Sequence, residues 1–118
     1  MGSEFSIQKA TRDNVGLFRV SGRLDAKNAQ QLMTICRAAR ESGQTQIVVN
    51  LGDVTFVASS GIGTLLALTE EFREAAGAIH LVSLSDAVVS VVELLNLGQF
   101  LNVGRTEEEA LQSAGAGA

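Results

Sequence analysis

Short β-branched runs alternate with helix-period segments along almost the whole chain, and few folds accommodate that order. Val15 to Val20 (V-G-L-F-R-V) is β-prone and follows the turn-like Thr11-Arg12-Asp13-Asn14. With Ser6 to Ala10 before it, the pattern predicts an opening hairpin. From Ala26 to Glu41 the residues Ala29, Leu32, Met33, Cys36 and Ala39 recur at helical spacing, with Asp25 as cap and Gly43 as stop. Gln46 to Leu51 has buried-strand character, and Leu51 to Val57 continues in strand-like fashion. Gly61 to Ala76 is helical, with Ile62, Leu65, Leu66 and Phe72 on one side and Gly77 ending it. Ala78 to Leu84 is a strand, Asp86 to Leu95 a helix capped by Ser85, and Phe100 to Val103 a short last strand. Thr106 and Glu109 form a T-x-x-E capping box opening a helix to Gln112. The order β-β-α-β-α-β-α-β-α predicts one layered α/β domain with no internal repeat.

Composition removes whole classes of function. The 118 residues suit a single domain able to bury its own core without a staple. Cys36 is the sole cysteine, which fits a reducing compartment. Cys36 and the sole histidine, His80, are too few for a structural zinc site unless carboxylates or a second chain supply the other ligands. The net charge is −4 and the pI about 4.9, with no basic cluster for phosphate backbones or anionic membranes. No apolar run approaches the ~20 residues of a spanning helix. The expectation is a cytoplasmic protein with no cofactor, no direct nucleic-acid partner and no membrane insertion. Residues 1–5 (M-G-S-E-F) resemble translated vector sequence, and residues 113–118 (S-A-G-A-G-A) read as a flexible tail. Residues 6–112 remain as the domain.

Catalytic templates mostly fail. No Walker lysine follows a glycine-rich loop, and Gly61-Ile62-Gly63 has no third glycine at the dinucleotide-binding spacing. A nucleophile elbow around Ser59 would need glycine where Val57 stands. His80 lies in an apolar strand and reads as structural or edge-facing, with a base for a distant nucleophile as the sharper alternative. Cys36 falls on the apolar helix face and reads as core. Glu107-Glu108-Glu109 reads as a solvated first turn placed well for the helix dipole. Val88, Val89, Val91 and Val92 exceed one helix face, leaving part of that helix for a partner or a weak homodimer contact.

The segment that carries chemistry is Thr55-Phe56-Val57-Ala58-Ser59-Ser60-Gly61-Ile62-Gly63, where a strand delivers two hydroxyls to a helix start. Helix N-termini expose unpaired N–H groups and a partial positive charge. A serine there is either an N-cap or a phosphorylation site, because the same donors stabilise a phosphate. Local physics favours the N-cap and keeps the phosphorylation site as the sharper alternative.

Four separated blocks resemble the STAS domains, and most closely the bacterial anti-sigma factor antagonists. They are V-S-G-R-L-D (Val20 to Asp25), the strand Ile47 to Leu51, F-V-A-S-S-G-I-G (Phe56 to Gly63), and L-L-N-L-G-Q-F-L-N-V (Leu94 to Val103) with the following T-E-E-E-A-L. The resemblance covers residues 6–112. It implies a small mixed β-sheet with about four helices packed on one face. It also implies an antagonist that binds an anti-sigma factor serine kinase, is phosphorylated by it on a serine at a helix N-terminus, and is reset by a PP2C-type phosphatase. The family acceptor follows an aspartate in Asp-Ser-Ser/Thr-Gly and maps onto Ser59, with Ser60 as the alternative. Asp25, Ala58, Ser59, Ser60, Gly61, Ile62 and Gly63 form the implied partner-binding set. One residue departs from the pattern: Ala58 stands where the family has aspartate. The departure is compatible with a different kinase, a form fixed in the binding-competent state, an engineered Asp→Ala change, or a non-phosphorylated STAS adaptor in a lipid-transport or signalling complex. A nucleotide hydrolase is the third class, and the sequence provides no base, metal cage or phosphate-gripping lysine for it.

Overall fold

The first turn sets the sheet in motion. The computed structural model describes residues 5–116, and its first two strands, β1 (Ser6–Arg12) and β2 (Val15–Leu24), pair antiparallel from Ser6↔Ser21 to Arg12↔Val15. Only Asp13 and Asn14 lie between them, both with positive φ (53° and 66°). That is the geometry of a two-residue type I′ hairpin, whose twist matches the strands it joins. Asp and Asn tolerate the left-handed region better than other non-glycine residues.

The chain then alternates: α1 (Ala26–Glu41), β3 (Gln46–Val57), α2 (Ser59–Glu74), β4 (Ala78–Val82), α3 (Asp86–Leu94) and α4 (Glu107–Ala116). The strands lie in the order β1-β2-β3-β4, with β2, β3 and β4 mutually parallel, so the sheet is mixed. β4 meets only Gln46–Asn50 of β3, whereas β2 follows β3 as far as Leu24↔Val57. The ends of β2 and β3 therefore form a two-stranded tip beyond their neighbours.

The strand pleat explains the layers. On one side Phe18, Val20, Ile47, Val49, Leu51, Ile79 and Leu81 pack under α1, α2 and α3 through residues such as Leu32, Cys36, Leu65, Phe72, Val88 and Val92. On the other side Val15, Leu17, Val48 and Val82 form a second cluster with Ala110 and Ala114 of α4. The expectation of all helices on one face is thus corrected: three lie on one face and α4 covers the other. Val15 and Leu17 of β2, Val48 of β3 and Val82 of β4 leave a second apolar surface across the sheet, and α4 is the element that buries it.

The same contacts correct two further expectations. The tail does not become irregular at Ser113, because the helix runs on to Ala116 and Ala114 is only 1% exposed. The last two tail residues, and residues 1–4 of the presumed vector segment, lie outside the described residues. Glu108 and Glu109 are exposed as expected of a solvated turn, but Glu107 is partly buried. It accepts two hydrogen bonds from Arg19 (both 2.8 Å) and one from Asn50 Nδ2 (2.6 Å), fastening α4 to β2 and β3. Glu108 pairs with Arg12 at 3.3 Å.

The fifth strand is reduced to a single bridge, Leu81↔Val103. Leu97 and Leu101 turn inward, and Phe100 and Leu101 both donate to the Leu97 carbonyl in a tight turn. The chain is still coiled when it reaches β4, so only Leu81 and Ser83 exchange backbone hydrogen bonds with the Asn102–Arg105 stretch. The surplus valines of α3 are largely absorbed: Val88 and Val92 are buried, and Val91 packs against the core. In and after α3 the exposed large apolar residues are instead Leu94, Leu95, Phe100 and Val103.

Candidate functional site

Two strand-to-helix junctions stand side by side at the tip. Parallel strands bring Leu24 and Val57 into register, and the Ala58 N–H donates to the Leu24 carbonyl at 3.0 Å. Asp25 and Ala58 therefore occupy equivalent places on adjacent strands, each opening a helix. Asp25 has the extended backbone of an N-cap, and its Oδ1 accepts from the Asn28 N–H at 3.0 Å. The expected cap is present. Asn28 in turn donates through Nδ2 to the Arg23 carbonyl at 2.9 Å, tying the first turn of α1 to the end of β2.

The second junction differs in one respect. Ala58 has N-cap geometry (φ −85°, ψ 165°) but no side-chain cap hydrogen bond. The first bond of α2 runs from the Ile62 N–H to the Ala58 carbonyl at 3.1 Å. The N–H groups of Ser59, Ser60 and Gly61 thus precede the helical ladder, as the first donors of every helix do. The helix begins two residues earlier than the glycine pattern suggests, so Ser59 and Ser60 are its first two residues and neither is the N-cap. Both are exposed.

Gly61 explains how the helix starts so close to the sheet. A Cβ there would lie 2.5 Å from the Leu24 carbonyl oxygen and 3.0 Å from Leu24 Cγ. Only glycine lets α2 rest on the end of β2. Gly61 is accordingly buried, and Ile62 is 6% exposed and part of the core. These two residues of the expected partner-binding set position the surface and are not on it. Gly63 is exposed, and a Cβ there would meet nothing within 4 Å. The exposed face of the junction is formed by Ser59, Ser60 and Gly63, with the partly buried Asp25 and Ala58 beside them.

A neighbouring pair escaped the sequence reading. Arg23 lies over the Phe56 ring, 4.1 Å from its centroid, across the register pair that precedes the two junctions. Phe56 is 39% exposed. An aromatic one residue from the end of a strand, where neighbours are solvated, was the available signal.

The other reactive side chains lie elsewhere. His80 on β4 has both ring nitrogens engaged by amides, Nε2 with Gln46 Oε1 at 3.0 Å and Nδ1 with Asn102 Nδ2 at 3.1 Å. Burial lowers its pKa from the usual histidine value. Neither amide is a carboxylate that would raise the ring's basicity. Cys36 is fully buried, and burial pushes its thiol up to about 12, far from a reactive thiolate. Among the described residues no group of three or more His, Cys, Asp or Glu could hold a metal ion. No helix among them is long and apolar enough to cross a membrane.

This geometry has relatives. An anti-sigma-B factor antagonist of Staphylococcus aureus is 27% identical over 107 residues, which span 87% of this chain and 95% of that protein. The unphosphorylated form of the anti-sigma factor antagonist SpoIIAA superposes with a TM-score of 0.75 at 28% identity, over 93% of this chain and 95% of that one. The phosphorylated form of the Bacillus cell fate determinant SpoIIAA superposes with a TM-score of 0.70 at 27% identity, over 93% and 98% of the two chains. The model of the STAS domain family matches residues 6–110. That match runs from the first residue of β1 through the first turn of α4, and with it the chain belongs to the STAS domain family.

Proposed function

We propose that this chain is a cytoplasmic anti-sigma factor antagonist, a regulatory binding module that engages an anti-sigma factor serine kinase through the β2–β3 tip. Phosphorylation of Ser59 switches it off, and a PP2C-type phosphatase restores it. The observation that carries the reading is the placement of Ser59: exposed, first in α2, on a helix start with no side-chain cap. Its likeness to both the unphosphorylated and the phosphorylated SpoIIAA supports a fold that holds either state.

The physics of the switch is local. A phosphate brings about −1.5 to −2 charge and three acceptor oxygens. The free N–H groups and the dipole at the start of α2 tolerate that charge within the chain. An acidic or apolar partner surface packed on the same residues does not. A loss of a few kcal/mol at the interface moves affinity by about tenfold per 1.4 kcal/mol, with no refolding of the antagonist.

Incubation with the purified kinase and Mg-ATP is the direct test. Intact mass should rise by one phosphate, located at Ser59 by peptide sequencing and absent from Ser59→Ala; transfer that persists in Ser59→Ala and is lost in Ser60→Ala would move the site to Ser60. Ser59→Asp should weaken kinase binding by at least about tenfold while Ser59→Ala preserves it. Equal affinities for the two variants would end the charge-switch account. Ala58 favours one other reading, a non-phosphorylated adaptor in a lipid-transport or signalling complex. An unchanged mass, with capture of transporter or scaffold subunits and no kinase, would select it.

A further inference from the structure

Among the described residues, no strand pairs with the outer edge of β1. β1 is the terminal strand, so its outer backbone edge is free. Directly opposed residues share a face. Ile7 and Lys9 pair with Val20 and Phe18, which face the helices, so both point toward α1. α1 answers with Lys27, Gln30 and Thr34, which recur at helical spacing on one face. Between strand and helix run two concavities of about 500 Å³ and 420 Å³ that meet at Thr34 and Ile35.

The charge of this groove opposes that of the protein. The chain has 13 acidic residues and a net charge of −4, yet among the described residues no Asp or Glu lines either concavity. The chain's two lysines, Lys9 and Lys27, line one concavity each. Among the described residues every ion pair uses an arginine and none uses a lysine.

We propose that the groove between α1 and the free edge of β1 is a second binding surface, which takes an extended acidic segment of a protein partner. The segment's backbone pairs with the edge of β1, and alternate side chains enter the groove over Ile35 and Phe18. Its carboxylates meet Lys9 and Lys27. Lysine on an edge strand repels basic strands and disfavours apolar ones, and it leaves an acidic strand as the matched guest. Two separated lysines in a concave groove fit a peptide better than a membrane or a nucleic acid, both of which call for a denser basic patch. The surface is independent of Ser59 and does not rest on the phosphorylation reading.

The test uses the full chain, labelled with ¹⁵N, and a short end-capped peptide alternating glutamate and valine. Amide shifts should concentrate in β1 and along α1, saturate with peptide, and fade as salt is raised. Lys9→Glu with Lys27→Glu should lower the affinity about tenfold, with a spectrum otherwise like the parent's. If that pair perturbs folding, Lys9→Gln and Lys27→Gln should each weaken binding severalfold. The proposal is overturned by equal binding of the matched glutamine–valine peptide. It also fails if shifts are absent at millimolar peptide or centred elsewhere, such as on Leu94, Leu95 and Phe100. Lysine-dependent binding to phosphatidylserine vesicles without peptide binding would overturn it too.

Discussion

Alanine at position 58 leaves the start of α2 without a side-chain acceptor, while one strand away Asp25 supplies one to α1. The comparison within one chain makes a stability prediction. Ala58→Asp should place a carboxylate beside the free N–H groups of Ser60 and Gly61 and next to the positive end of the dipole. The gain should be about 0.5–2 kcal/mol, read as a higher urea midpoint at unchanged slope. Gly61→Ala should act in the other direction, because its Cβ meets the Leu24 carbonyl at 2.5 Å; a loss of about 1–3 kcal/mol is expected. At this scale the candidate site was legible in part. The serines at a strand-to-helix junction were visible in the sequence. Their position inside the helix was not, since two glycines beside two serines read locally as a turn. A tertiary contact, the approach of α2 to Leu24, decides that Gly61 is helical.

Helix ends show the same division between local and distant causes. Gly43 was legible as the stop of α1 and has the positive φ of 102° that a left-handed end requires. At the end of α2 the corresponding residue is Ala76 (φ 62°), one place before the expected Gly77. The Ala76 N–H bonds to Arg73 and the Gly77 N–H to Phe72, the paired closure of a Schellman end. Gly77 is needed for a different reason: a Cβ there would sit 1.9 Å from the Thr45 carbonyl oxygen. Ala76→Gly should therefore stabilise the domain by up to about 1 kcal/mol, seen as a shift in the denaturation midpoint. The lost fifth strand belongs to this scale as well. Phe100 to Val103 has strand composition, but Leu97 and Leu101 are drawn into the core and coil the chain before it can pair. Composition reports preference, and the core decides between preferences.

At the scale of the whole molecule, the order of elements was readable because each follows its own hydrophobic period. Which face each helix covers was not, since the second apolar surface is assembled from one or two residues of each of β2, β3 and β4 and nothing local assigns α4 to it. The consequence is a domain whose pH response comes from groups spread over both layers. Glu71 is held below the usual 4.5 by hydrogen bonds from Arg37, and Glu107 by those from Arg19. Their contribution is present above pH 4.5 and is lost as pH falls through their folded values. His80 is lowered from 6.5 by burial, so below about pH 6.5 the unfolded chain binds a proton that the fold refuses. Stability therefore begins to fall there, before the carboxylates respond. Cys36 is raised from 9.0 to about 12 by burial. Above about pH 9 the unfolded thiol ionises and the folded one does not, so stability declines again. The sum is a plateau between about pH 6.5 and pH 9, measurable as the urea midpoint across pH. His80→Gln should remove the first acid decline and leave the second, and Cys36→Ala should remove the alkaline one even though it lowers stability throughout. A plateau that keeps both shoulders in the double variant would place the titrating groups elsewhere.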